Sequence, residues 1–196
     1  MIRSDHMNIL MAIVSIFLWL YVYLRLKSSK VYTFAFIVGS IGFFSIGILF
    51  FRDILEEIIV LAELKIISLF KIIFHNLDIY IQNSTVIIKT DSVAKAITLN
   101  YECSGLIESL VYSSIVFFYP IKNNYERFQK LILGNLIILG ANILRIILMV
   151  VSVSFLGVKT FDIVHLFIGR MIFYAIIVAL YYKILTQYHI SQYKEG

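Results

Sequence analysis

The chain has 196 residues, enough for one domain, and 61% of them are hydrophobic, with a mean hydropathy of +0.92. A water-soluble domain of this size has no interior large enough for that much apolar surface. The net charge of +5 does not indicate nucleic acid, because the basic residues cluster in short loops between apolar runs, as membrane topology demands.

The first seven residues are short and polar, and Met7 is an alternative start to Met1. Asn8–Leu24 is the first run long enough to cross a hydrocarbon core, which takes about 20 apolar residues. Arg25-Leu26-Lys27-Ser28-Ser29-Lys30 follows it without a small-residue cleavage site, so this reads as a retained helix rather than a signal peptide. Val31–Phe51 is a second, uncharged span.

Asp53–His75 differs in kind. It is rich in Ile and Leu but carries Asp53, Glu56, Glu57, Glu63, Lys65 and Lys71. Each charge at mid-bilayer costs about 2.5–3.5 kcal/mol on insertion scales. Its polar residues Glu56, Glu63, Ser68, Lys71 and His75 recur at roughly helical spacing, which predicts an amphipathic helix lying in the interface. Leu77–Asn100 then changes character again. Ile79-Tyr80-Ile81, Val86-Ile87-Ile88 and Ala96-Ile97-Thr98-Leu99 read as short strands, with turns at Asn83-Ser84 and Asp91-Ser92. Residues 53–102 together form an expected extracytoplasmic cap.

Three further spans are expected at Cys103–Tyr119, Leu131–Leu156 and Leu166–Tyr182, the last from about residue 166 to 182. The fold class is therefore an all-α polytopic membrane protein. It has about five transmembrane helices, an interfacial amphipathic helix and a small extracytoplasmic β-like segment. Arg25, Lys27 and Lys30 form one basic loop, Lys122, Arg127 and Lys130 another, and Lys183 and Lys194 lie in the tail. These loops and the C-terminus should be cytoplasmic. Residues 52–102, with five basic and seven acidic side chains, and the 157–165 loop should then lie outside.

That topology gathers three reactive side chains in the outer leaflet. Cys103, the single cysteine, opens the third span, where a helix dipole and a nearby cation favour a thiolate. Taken alone, a cysteine is more often a small buried hydrophobe. Arg145 interrupts an apolar run, Ile143-Leu144 before it and Ile146-Ile147 after it, and is costly there without a partner or a wet cavity. It lies 11 residues before Leu156, about 16 Å along a helix. Asn142 shares its helix face and would fix the guanidinium or donate into the same cavity. His165 opens the fifth span and is suited to moving protons near neutral pH. Glu108 and Arg170, also inside spans, read as a neutralising structural pair, Glu108 with Arg170 or Arg145. A lone cysteine builds no zinc site of the usual type, and zinc-protease, serine-hydrolase-elbow and phosphate-loop motifs are lacking, so no metal or cofactor is expected.

Cys103-Ser104-Gly105, then Asn142-Ile143-Leu144-Arg145, then His165 with Gly169 four residues on, resembles the exosortase/archaeosortase family in order and membrane setting. The shorter chain looks like the compact branch found in Gram-positive bacteria. The resemblance implies a multi-pass transpeptidase in the cell membrane, functionally similar to sortase. Such an enzyme would cut the C-terminal transmembrane sorting signal of an exported protein outside the membrane. It would then pass the acyl group to an acceptor: water, lipid or a cell-wall amine. By the same resemblance Cys103 is the nucleophile, His165 the general acid/base and Arg145 the charge stabiliser. Ser104, Gly105, Asn142 and Gly169 support them. Two other readings compete. One is a non-catalytic membrane subunit of a surface-polymer assembly or export system, which would tolerate Cys103→Ser. The other is a transporter with an ion path through Glu108, Arg145 and Arg170, against which the lack of an internal repeat counts.

Overall fold

The computed structural model of the chain describes residues 2–70, 77–80, 84–89, 94–121 and 123–194. Among these, four helical stretches are long and apolar enough to cross a membrane: Leu10–Ser28, Tyr32–Phe50, Asn124–Leu156 and Phe161–Lys183. The chain is a helical, multi-pass membrane protein. It divides into two compact units, Met1–Leu55 with Ile107–Leu133, and Glu56–Leu106 with Gly134–Gly196.

The first unit is built on α1 (Ile2–Ser28) and α2 (Tyr32–Phe50), joined by a tight turn at Lys30, whose φ is +60°. Phe17, Leu18, Leu49 and their like stand exposed on these helices. Apolar exposure on that scale suits lipid rather than water. Where the helices meet, small residues let them approach. A Cβ on Gly42 would collide with the Trp19 ring, and one on Gly39 with the Phe118 ring. Trp19 Nε1 donates to the Val38 carbonyl at 2.9 Å, so the indole also satisfies its one polar atom inside the packing.

The expected third span is shorter than its apolar run. The helix α4 is Leu106–Phe118, 13 residues or about 20 Å. Gly105, at φ +70°, blocks its extension toward the N-terminus. Pro120 ends it, because the residue before a proline is pushed out of helical geometry. The following turn is closed by Arg127, which donates to Asn124 Oδ1 at 2.8 Å and to the Ile121 carbonyl at 2.9 Å.

The second unit contains most of α3 (Arg52–Leu69) and a three-stranded antiparallel sheet, β1 (Leu77–Tyr80), β2 (Thr85–Lys89) and β3 (Ala94–Thr98), in that order. Val86 pairs with Ile97 and Ile87 with Ala96, so Val86, Ile88, Ile97 and Leu99 fall on one face and are buried. Keeping each from water stabilises the sheet by about 1.5–3 kcal/mol. They are covered by Val60, Leu64 and Ile67 of α3 and by Ile143, Ile146, Met149, Val150 and Val153 of α5 (Asn124–Leu156). The strands thus form part of a helix-backed core rather than a separate soluble cap. Ser84, at φ +48°, makes the turn before β2; Asn83, Asp91, Ser92, Lys71 and His75 lie outside the described residues.

The amphipathic reading of α3 is reversed at its centre. Glu63 was expected on the water face, yet it is fully buried beside Val60, Leu64 and Ile67, while Ile54 and Ile58 are exposed. Residues 60, 63, 64 and 67 share one helix face, and that face is the one the sheet and α5 cover. The last spanning stretch opens with a three-residue helix, α6 (Phe161–Ile163), passes through a π-helical turn at Val164–Ile168 and continues as α7 (Gly169–Lys194).

Candidate active site

Cys103 lies in the turn ahead of α4, three residues before its first residue, and so does not cap the helix as its sequence position suggested. Asn100 holds the turn: its carbonyl accepts from the amides of Cys103 and Ser104, each at 2.9 Å, and its Oδ1 accepts from Cys103 N at 3.1 Å. The left-handed φ of Gly105 completes the bend into α4, which explains a glycine two residues after the thiol. A Cβ at Gly105 would make only ordinary contacts, with Ile138, Asn142 and Phe173, so backbone conformation rather than space demands glycine there.

Asn142 reaches the turn from α5. Its Nδ2 donates to the Cys103 carbonyl at 2.7 Å and to Glu63 Oε1, also at 2.7 Å. Asn142 was expected either to fix the Arg145 guanidinium or to donate into the same cavity; its two bonds are donations, and they bridge α3 and the Cys103 turn. Arg145 follows one turn later and is buried. Helix α5 runs unbroken to Leu156, so Arg145 stays about 16 Å from its end.

The stem of Arg145 passes over Gly169. A Cβ there would lie 3.1 Å from Arg145 Cγ and 2.9 Å from the Val164 carbonyl oxygen. That carbonyl accepts the Gly169 amide, the bond that closes the π-helical turn. The glycine four residues after His165 therefore makes room for the arginine. His165 sits within this turn, inside the helix rather than at its start, stacked on Phe161 with ring centroids 5.2 Å apart. Its Nδ1 is 3.0 Å from Met149 Sδ. Asn142, Arg145 and Met149, at spacings of three and four, make one stripe of α5. Along that stripe the unit brings together the Cys103 turn, Glu63, Gly169 and His165.

The hydrogen bonds of Cys103 among the described residues all come from its backbone. Among the described residues, four buried polar atoms around the stripe have no hydrogen-bond partner: Glu63 Oε2, Ser104 Oγ, Asn142 Oδ1 and Arg145 Nε. Buried polar groups are ordinarily paired, so this concentration gives the site unused donors and acceptors for a polar ligand.

Glu63 is the residue that sequence reasoning missed. Burial pushes its carboxyl up to about 8; the Asn142 hydrogen bond and the Arg145 charge oppose the shift but do not overcome it. The acid beside Arg145 is Glu63, and Arg170 is exposed. The signal was present: an acid at the i+3 position of the apolar series Val60, Leu64, Ile67.

Residues 3–182 match the family of transmembrane exosortases. The chain belongs to that family. The match covers α1 through most of α7, and so takes in the Cys103 turn, the α5 stripe and the π-helical turn. No curated protein and no solved structure matches. Membership of the exosortases supports a membrane-bound sorting or transpeptidase function in general terms.

Proposed function

We propose that this exosortase is a membrane-embedded cysteine transpeptidase or protease. It cleaves the C-terminal sorting signal of an exported protein on the outer side of the membrane and hands the acyl group to water, a lipid or a cell-wall amine. The observation that carries this reading is the α5 stripe, through which a cysteine turn, a buried arginine and a histidine become parts of one compact unit. A family match over residues 3–182 supports it.

The chemistry runs in two steps. The Cys103 thiolate attacks the scissile carbonyl, the amine leaves with a proton supplied by His165, and an acyl-enzyme remains. The acceptor then attacks the thioester, His165 takes its proton and the thiolate departs. The tetrahedral intermediate of each step carries an oxyanion. Arg145, buried and with Nε unpaired, offers it a fixed positive charge in a low-dielectric setting. A cation held this way by packing needs no reorganisation as charge develops.

The test is to trap a hydroxylamine-sensitive acyl adduct on Cys103 in intact cells and to identify the attached peptide by mass spectrometry. The adduct should carry the part of an exported protein that precedes the cleaved bond, without the sorting signal that follows it, and vanish in Cys103→Ala. Complete substrate processing by Cys103→Ala sinks the reading. A membrane-impermeant thiol reagent applied to the same cells reports which side Cys103 faces.

A further inference from the structure

Glu63 has no place in that two-step scheme, yet it is fully buried. A fully buried acid is expensive unless its interactions repay the desolvation. One carboxyl oxygen is bonded to Asn142, and the other has no partner among the described residues. A residue serving only to fill space at this point would be leucine or methionine.

We propose that Glu63 is a positioning residue, which fixes the Cys103 turn by orienting the Asn142 amide. The inference rests on the reading of Cys103 as nucleophile. Asn142 Nδ2 has two protons; one goes to Glu63 Oε1 and the other to the Cys103 carbonyl. A carbonyl only accepts, so the amide must present nitrogen to it. Glu63 holds the amide in that sense. Without an acceptor at residue 63, the amide keeps a single anchor and is free to rotate off the Cys103 carbonyl. The turn would then lose its hydrogen bond to α5, and with it a fixed position relative to Arg145, one helical turn along.

The raised proton affinity of Glu63 agrees with this role. A neutral carboxyl can still accept from Asn142 and does not compete with a developing oxyanion for the charge of Arg145.

The chain has one cysteine, so cysteine labelled with carbon-13 at the carbonyl gives one labelled amide band in the infrared spectrum of the full-length protein. Glu63→Gln keeps an acceptor at the same reach; Glu63→Met keeps the length and removes it, without the desolvation cost of an acid. The labelled band of Glu63→Gln should coincide with wild type. The band of Glu63→Met should move to higher wavenumber, to where Asn142→Leu places it. In cells, the Cys103 acyl adduct should persist in Glu63→Gln. In Glu63→Met it should fall by about 10²-fold, the loss that a displacement of about 1 Å brings. An unmoved band in Glu63→Met beside a moved band in Asn142→Leu overturns the proposal. So does loss of the adduct in Glu63→Gln. Should Cys103 never carry an acyl group in wild type, the catalytic reading fails, while the labelled band still decides whether Glu63 orients the turn.

Discussion

Replacing Glu63 by glutamine should stabilise the protein, and by an amount that grows with pH. The carboxyl is held neutral by burial, with its pKa raised from 4.5 to about 8. Below pH 4.5 the folded and unfolded chains both hold the proton, and the group contributes no slope. Between 4.5 and about 8 the folded chain keeps a proton that the unfolded chain has lost, so unfolding becomes easier as pH rises. Each pH unit in that window costs about 1.4 kcal/mol. The accumulated cost reaches about 3 kcal/mol at pH 7 and saturates near 5 kcal/mol above pH 8, as upper limits. Glutamine keeps the hydrogen-bond acceptor and has no such slope. Thermal unfolding of both proteins in one detergent, from pH 5 to pH 8, isolates the effect, because every other titrating group cancels in the difference. The variant should gain roughly 6–12 °C at pH 7 and far less at pH 5. Parallel curves for the two proteins would refute the reasoning. They would also show that the Arg145 charge, not burial, decides the state of Glu63, since a carboxyl ionised in both the folded and the unfolded chain gives no slope above about pH 5.

Other expectations follow from the packing. Gly169→Ala puts a methyl 2.9 Å from the Val164 carbonyl and 3.1 Å from Arg145 Cγ. It should cost about 1–3 kcal/mol of stability and suppress the Cys103 acyl adduct by displacing the guanidinium, measured by thermal unfolding and adduct yield together. Gly105→Ala meets no steric obstacle but places alanine at φ +70°; it should cost about 1–2 kcal/mol, read from the same melts. Gly42→Leu strikes the Trp19 ring and should destabilise the α1–α2 pairing, seen as a shift in the emission of this single tryptophan, with the labelled Cys103 carbonyl band unchanged. Cys103→Ser, close in volume, should leave the melting temperature within a few degrees and abolish the acyl adduct.

Composition and the length of the apolar runs were enough to establish a helical membrane protein. Spanning helices satisfy every backbone group internally, so their signal is local and needs no knowledge of neighbours. The strands showed for the same reason, since a short β-branched run such as Val86-Ile87-Ile88 beside turn residues is a local pattern. The three motifs around Cys103, Arg145 and His165 were also legible. Two of their glycines have structural reasons: the φ of Gly105 and the passage of Arg145 over Gly169.

What only the tertiary structure decided is which groups face one another. Glu63 looked like part of a solvated face because helical periodicity gives the faces of α3 but not what covers them. The sheet and α5 come from distant sequence, and it is they that bury this acid. The bridge from Glu63 through Asn142 to the Cys103 carbonyl spans 79 and 39 residues of chain, beyond any spacing rule. The π-helical turn was invisible too, because a single added residue leaves no compositional trace. Spans follow from what each residue prefers as solvent; a site follows from which side chains the folded core leaves each other as partners.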